Sequence, residues 1–67
     1  MKPYQERVVI EESELNENIN RLYRFLANDA SAVSGPESTL IKIQLAAMTT
    51  YRLLLAARIE TFHKDVE

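Results

Sequence analysis

Flat aromatic rings and planar guanidiniums are the groups that stack on a purine and pair with a phosphate. The sequence gathers six of them in its amino-terminal part: Tyr4, Arg7, Arg21, Tyr23, Arg24 and Phe25. Arg7, Glu11 and Asn18, with Glu14 and Arg21, lie at spacings of four and seven, which place them on one side of a helix. Two chemistries fit this pattern. One is recognition of a small anion that carries bases; the other is a set of exposed ion pairs along a solvated helix, a commoner use of the same residues. Arg52 and Arg58 raise a related question, because they stand inside an otherwise apolar stretch. Either they run their stems along a groove to reach water, or copies of them meet around a symmetry axis and need an anion between them. Thr61, three residues beyond Arg58, belongs to the same helical surface.

Other chemistry is thinly supported. One histidine, no cysteine and no glycine-rich phosphate loop leave no nucleophile–base arrangement, so an enzyme is not expected. Glu60-x-x-His63 has the carboxylate–histidine spacing of bundle di-metal sites, but such sites need further inward carboxylates, and a solvated pair near a helix end explains it better. No metal or cofactor is expected. Glu11, Glu12 and Glu14 read as a solvated face, and Met48 as a core residue.

A formal net charge of −2 argues against a surface built to neutralise a long phosphate backbone, so DNA is not an expected partner. A small anion with two or three phosphates needs only a few local arginines. Lys42, Gln44, Arg52 and Arg58 interrupt the apolar stretch below the roughly 20 residues of a bilayer span, so no membrane segment is expected. The start, Met1-Lys2-Pro3-Tyr4, does not read as a signal peptide, and the cytoplasm is the expected location.

These residues need elements to hold them. Pro3 opens a helix, with Glu6, Glu11, Glu12 and Glu14 toward its positive end. Val8, Leu15, Ile19, Leu22 and Leu26 form a stripe along it to about Asn28. Glu12-Ser13-Glu14 lacks apolar residues and Ser13 suits a cap, so the sequence allows a kink or break between Val9 and Leu15. Residues 29–35 hold the only glycine and read as the connection. Ser34 and Glu37 have capping-box spacing around Pro36, which starts a second helix running to about Lys64, where His63 and Lys64 suit the negative end. The expected fold is all-α: one domain over residues 1–67, an antiparallel helical hairpin.

The second helix carries too much apolar surface for one partner. Ile41, Met48, Leu55 and Phe62 line one face, while Leu40, Ala47 and Leu54 continue onto the next. A 67-residue chain without disulfides needs some other source of buried area, and a homo-oligomer supplies it.

The arrangement Tyr4-x-x-Arg7-Val8-x-x-Glu11-x-x-Glu14-Leu15-x-x-x-Ile19-x-x-Leu22-x-x-Phe25, then Leu40-x-x-x-Gln44-Leu45-x-x-Met48-x-x-Tyr51-x-x-x-Leu55-x-x-Arg58-Ile59, covers nearly the whole chain. It resembles a family of small tailed-phage proteins that includes the second type of anti-CBASS sponge. The resemblance implies a homohexamer with pockets between protomers for cyclic dinucleotides and a separate pocket type for cyclic trinucleotides. Such a protein would sequester these messengers uncut, in the cytoplasm of the infected bacterial host, and so block CBASS-type immunity. It also implies an amino-terminal aromatic and a basic residue of the first helix in the dinucleotide pocket, here Tyr4 and Arg21. Relatives carry lysine near the position of Asn18 or Arg21, and Arg21 or Arg24 would replace that charge. Arg58 and Thr61 are the candidates for the trinucleotide pocket. The candidate ligand-binding residues are thus Tyr4, Arg7, Asn18, Arg21, Arg58 and Thr61. A competing reading is a small helical interaction module that binds a host or phage protein through its apolar helix face.

Overall fold

A computed structural model describes residues 1–65, and for Ala30 and residues 63–65 it describes the backbone alone. Two helices, α1 (Pro3–Asp29) and α2 (Gly35–Asp65), are joined through a 3-10 turn at Ala30–Ala32. They pack as an antiparallel hairpin 51 Å long and 15 Å across. The all-α hairpin expected from periodicity is therefore the observed fold. The Glu60-x-x-His63 spacing and the charges of His63 and Lys64 lie outside the described residues.

Both helix starts are capped by local sequence. At α1 the Lys2 carbonyl accepts from the Gln5 and Glu6 amides at 3.0 and 3.1 Å, and Gln5 Oε1 accepts from the Lys2 amide at 2.9 Å. A side chain three residues inside the helix thus reaches back to the first free amide, which is half of a capping box. Gln5 can be buried because that bond satisfies it. At α2, Ser34 Oγ accepts from the Glu37 amide at 3.2 Å, as the spacing predicts, and the Ser34 carbonyl accepts from the Ser38 amide at 2.9 Å.

The seam between the helices follows a strict three-four alternation. On α1 the buried and half-buried positions include Gln5, Val8, Glu12, Leu15, Ile19, Leu22 and Leu26; on α2 they include Ile41, Leu45, Met48, Arg52, Leu55, Ile59 and Phe62. This is the repeat of a coiled coil, in which the seam residues of each helix keep facing the partner. Val8, Leu55 and Phe62 form the buried cluster, with Leu15 and Ile59 packed against it. Leu55 is fully enclosed.

The kink allowed at Glu12-Ser13-Glu14 does not occur, since α1 runs unbroken from Pro3 to Asp29. Glu12 occupies the seam position between Val8 and Leu15, and Arg52 occupies the matching place on α2. Their side chains meet, Arg52 Nη1 to Glu12 Oε1, at 3.6 Å, and each is less than one-third exposed. The apolar gap in α1 is therefore a charge pair inside the seam, not the end of a helix. Arg52 is paired within the hairpin, an arrangement that neither of the two alternatives drawn from the sequence described.

Gly35–Phe62 is, by length and composition, long and apolar enough to cross a membrane, contrary to the expectation drawn from its interrupting charges. In the hairpin the same helix is held against α1, whose exposed side carries Glu6, Glu11, Glu14, Glu17, Arg7 and Arg21. Moving α2 into hydrocarbon would either strip Arg52 from Glu12 or take both charges along, and both are costly.

Candidate functional site

Two lines of side chains flank the seam. On α1, Tyr4, Glu11 and Asn18 recur every seven residues, and on α2, Tyr51 and Arg58 do the same. The Tyr51 hydroxyl donates to Glu11 Oε2 at 2.5 Å, so the two lines lie on the same side of the hairpin. Arg7 and Arg21, each three residues beyond a member of the α1 line, sit further round on that side. The candidate residues on α1 thus share one side of the hairpin with Arg58. This side combines aromatic edges, guanidiniums, an amide and a carboxylate.

Along its length the candidate residues divide into two groups. Tyr4 packs edge-on against Phe62, with ring centroids 5.9 Å apart and planes at 85°, which places it at the same end of the hairpin as Arg58 and Thr61. That contact holds the ring in one orientation while leaving it 44% exposed. Arg7, one turn along, is also exposed. Asn18 and Arg21 form the second group: Arg21 Nη1 donates to Asn18 Oδ1 at 3.3 Å, and Arg21 Nη2 lies 3.6 Å from Glu17 Oε2. At 1.5 Å per residue, Tyr4 and Arg21 are about 25 Å apart on a continuous helix. One small ligand cannot touch both within a single protomer. A pocket that uses both must take them from different copies.

Arg58 and Thr61 are adjacent. The Thr61 hydroxyl donates to the Arg58 carbonyl at 2.6 Å, so it is already engaged by its own helix, while the Arg58 side chain is exposed. The positive charge of Arg58 also acts on Tyr51. Tyr51 is held above its ordinary value of 10.0 first by the hydrogen bond to Glu11, then by burial and by the charge of Glu11, and Arg58 opposes the rise. Sequence reasoning placed Glu11 on a solvated acidic face and named Tyr51 as part of the family pattern. The signal that joins them is the matched flank position of both residues beside the three-four seam.

Among the described residues there is no enclosed pocket and no group of histidine, cysteine, aspartate or glutamate that could hold a metal ion. The recognition groups sit on an open surface. Leu40, Ile43, Leu53 and Leu54 of α2 are also exposed, each by more than half.

The fold and these surfaces define a class: a small coiled-coil hairpin that displays aromatic and cationic groups on one side and surplus apolar surface on its longer helix. Within that class the chain belongs to the Sequestin family, whose model matches residues 2–61. No curated protein and no solved structure matches it.

Proposed function

We propose that this protein is a phage anti-defence sponge that binds cyclic di- and trinucleotide second messengers and withholds them, uncut, from CBASS-type effectors. Membership of the Sequestin family over residues 2–61 carries this reading, since the family name denotes sequestration. The exposed Tyr4, Arg7, Asn18, Arg21 and Arg58 supply the ring faces, guanidiniums and amide that a cyclic oligonucleotide requires. The separation of Tyr4 from Arg21 supports a homo-oligomer as the working unit, with six copies favoured by the resemblance and the ligand bound between protomers. Its site of action is the cytoplasm of the infected bacterium. The protein is not an enzyme: nothing in the candidate set activates a nucleophile or a metal-bound water, so binding is the whole activity.

Calorimetric titration against a panel of cyclic di- and trinucleotides tests the reading. Saturable binding is expected, at a fixed ratio of ligand to subunit, with the nucleotide recovered intact by chromatography after the protein is denatured. Linear product would make the protein an enzyme, and no binding across the panel would remove the sponge. The exposed Leu40, Ile43, Leu53 and Leu54 support a second reading, an interaction module for a host or phage protein. A monomer–dimer equilibrium that never fills this face favours the module, and a defined homo-oligomer favours the sponge.

A further inference from the structure

The longer helix carries a second three-four seam. Leu40, Ile43, Ala47, Thr50, Leu54, Ala57 and Thr61 alternate at spacings of three and four over six turns, as the hairpin's own seam does, and all are exposed. From the 100° per residue of an α-helix, this line lies about 140° round α2 from the seam that α1 fills. Nothing within the hairpin reaches it.

We infer that this second seam is the docking surface for α2 of another copy, running antiparallel about a two-fold axis between Thr50 and Tyr51. Three observations support that occupant. The first is size. Antiparallel pairing about that axis sets Leu40 against Thr61, Ile43 against Ala57 and Leu54 against Ala47 of the second copy, with the two Thr50 residues at the centre. Every large side chain then shares its layer with a small one, and packing volume stays even along the seam. A parallel, in-register pair would instead put leucine with leucine and alanine with alanine.

The second observation is polarity. The threonines of the seam do not bring unsatisfied donors into it, because Thr50 Oγ1 donates to the Ala46 carbonyl at 3.0 Å and Thr61 Oγ1 to the Arg58 carbonyl at 2.6 Å. Their methyl groups are free to pack in a dry interface. The third is charge. Lys42 and Glu60 are both exposed and lie eighteen residues, about five turns, apart, so they stand on one line beside the seam at opposite ends. Their midpoint, Tyr51, lies half a residue from the midpoint of the seam. The antiparallel arrangement therefore brings each Lys42 toward the Glu60 of the other copy, whereas a parallel arrangement gathers like charges at the same level. Reversed helices also oppose their dipoles.

The inference does not depend on any ligand, and its test is read without one. The chain has no cysteine, so single cysteines report on this contact alone. Leu40→Cys mixed with Thr61→Cys, under mild oxidation at micromolar concentration, should give a mixed disulfide dimer, and Thr50→Cys alone should give a homodimer. Leu40→Cys alone should stay largely uncrosslinked. Glu14→Cys, on the outer side of α1, is the control. Leu54→Asp should lower the mass measured by light scattering while circular dichroism stays helical, since Leu54 is exposed in the hairpin and contributes little to its core. Self-crosslinking of Leu40→Cys in preference to the mixed pair would overturn the antiparallel assignment. A wild-type chain that is monomeric in buffer, or that floats with phosphatidylcholine vesicles as a monomer, would overturn the docking surface altogether.

Discussion

Replacing either member of the Glu12–Arg52 pair should cost the hairpin far more than loss of a surface ion pair does. Arg52 Nη1 and Glu12 Oε1 are 3.6 Å apart, and their side chains are 29% and 25% exposed. At an effective dielectric constant near 20, that separation gives an attraction of about 4–5 kcal/mol. Desolvation of the two groups in the seam offsets most of it, leaving a net contribution of about 1 kcal/mol. Removing one partner is worse, because the other charge stays three-quarters covered with nothing to balance it. Arg52→Met and Glu12→Gln should therefore each destabilise the protein by about 2 kcal/mol, between the figures for exposed and fully buried pairs. For a domain of this size that is a fall in melting temperature of about 8–16 °C. The double replacement Glu12→Leu with Arg52→Leu should recover that stability, since the seam positions then continue the apolar repeat. It should also loosen the choice of register and orientation that a single charged layer enforces. Urea unfolding followed by circular dichroism, at one fixed protein concentration so that any assembly contributes equally, of the wild type, Arg52→Met, Glu12→Gln and the combined Arg52→Met, Glu12→Gln variant gives the four corners of the cycle. A coupling energy below about 0.3 kcal/mol would refute the reasoning, since the pair would then behave as an exposed one.

Three further outcomes follow from the same geometry. Tyr51 donates to Glu11, so its phenol should titrate above the ordinary value of 10.0 in an absorbance titration; the bond's contribution to stability is present below pH 10.0 and lost as the pH rises through the raised value. Glu11→Ala should return Tyr51 to the ordinary range, and an unchanged titration would show that the bond does not form. Ser34→Ala removes the acceptor for the Glu37 amide and should cost about 1 kcal/mol in the same unfolding assay, whereas Ser31→Ala should cost nothing measurable. If Tyr4 stacks on a base, Tyr4→Ala should weaken cyclic-dinucleotide binding by about five- to one-hundred-fold, and Arg21→Ala at least as much, with the subunit number unchanged. Full affinity in the double variant would discard both residues as ligand contacts.

Periodicity carried the fold. A stripe on each helix, a turn-forming connection and capping residues on either side of Pro36 were enough to define the hairpin. They worked because each is a local consequence of residue type: proline and serine at helix starts, apolar residues every three or four positions. The kink left open at Glu12-Ser13-Glu14 has an equally plain cause. A charged residue in a seam position breaks the apolar pattern of its own helix, and only the partner helix reveals whether that charge is paired. Arg52, forty residues away in sequence, stands at the equivalent step of the α2 repeat, so the pair was written in the sequence but only in the two repeats taken together. Tyr51 with Glu11 is the same kind of case. Gln5 differs again: its burial depends on one bond to the Lys2 amide, and glutamine near a helix start is too common to mark it beforehand.

The candidate site was legible as a set of residue types but not as a place. Helical spacing correctly gathers Tyr4, Asn18 and their neighbours on one side of α1, because azimuth follows directly from 3.6 residues per turn. Position along the axis is equally calculable, and it separates Tyr4 from Arg21 by about 25 Å once α1 is known to be unbroken. A break near Ser13 would have let the amino-terminal segment fold back and bring the two together within one chain. Because α1 is unbroken, shared use of Tyr4 and Arg21 by one small ligand requires a second protomer. In the proposed assembly, the unbroken α1 and the apolar seam that would dock another copy together decide which aromatic can meet which cation.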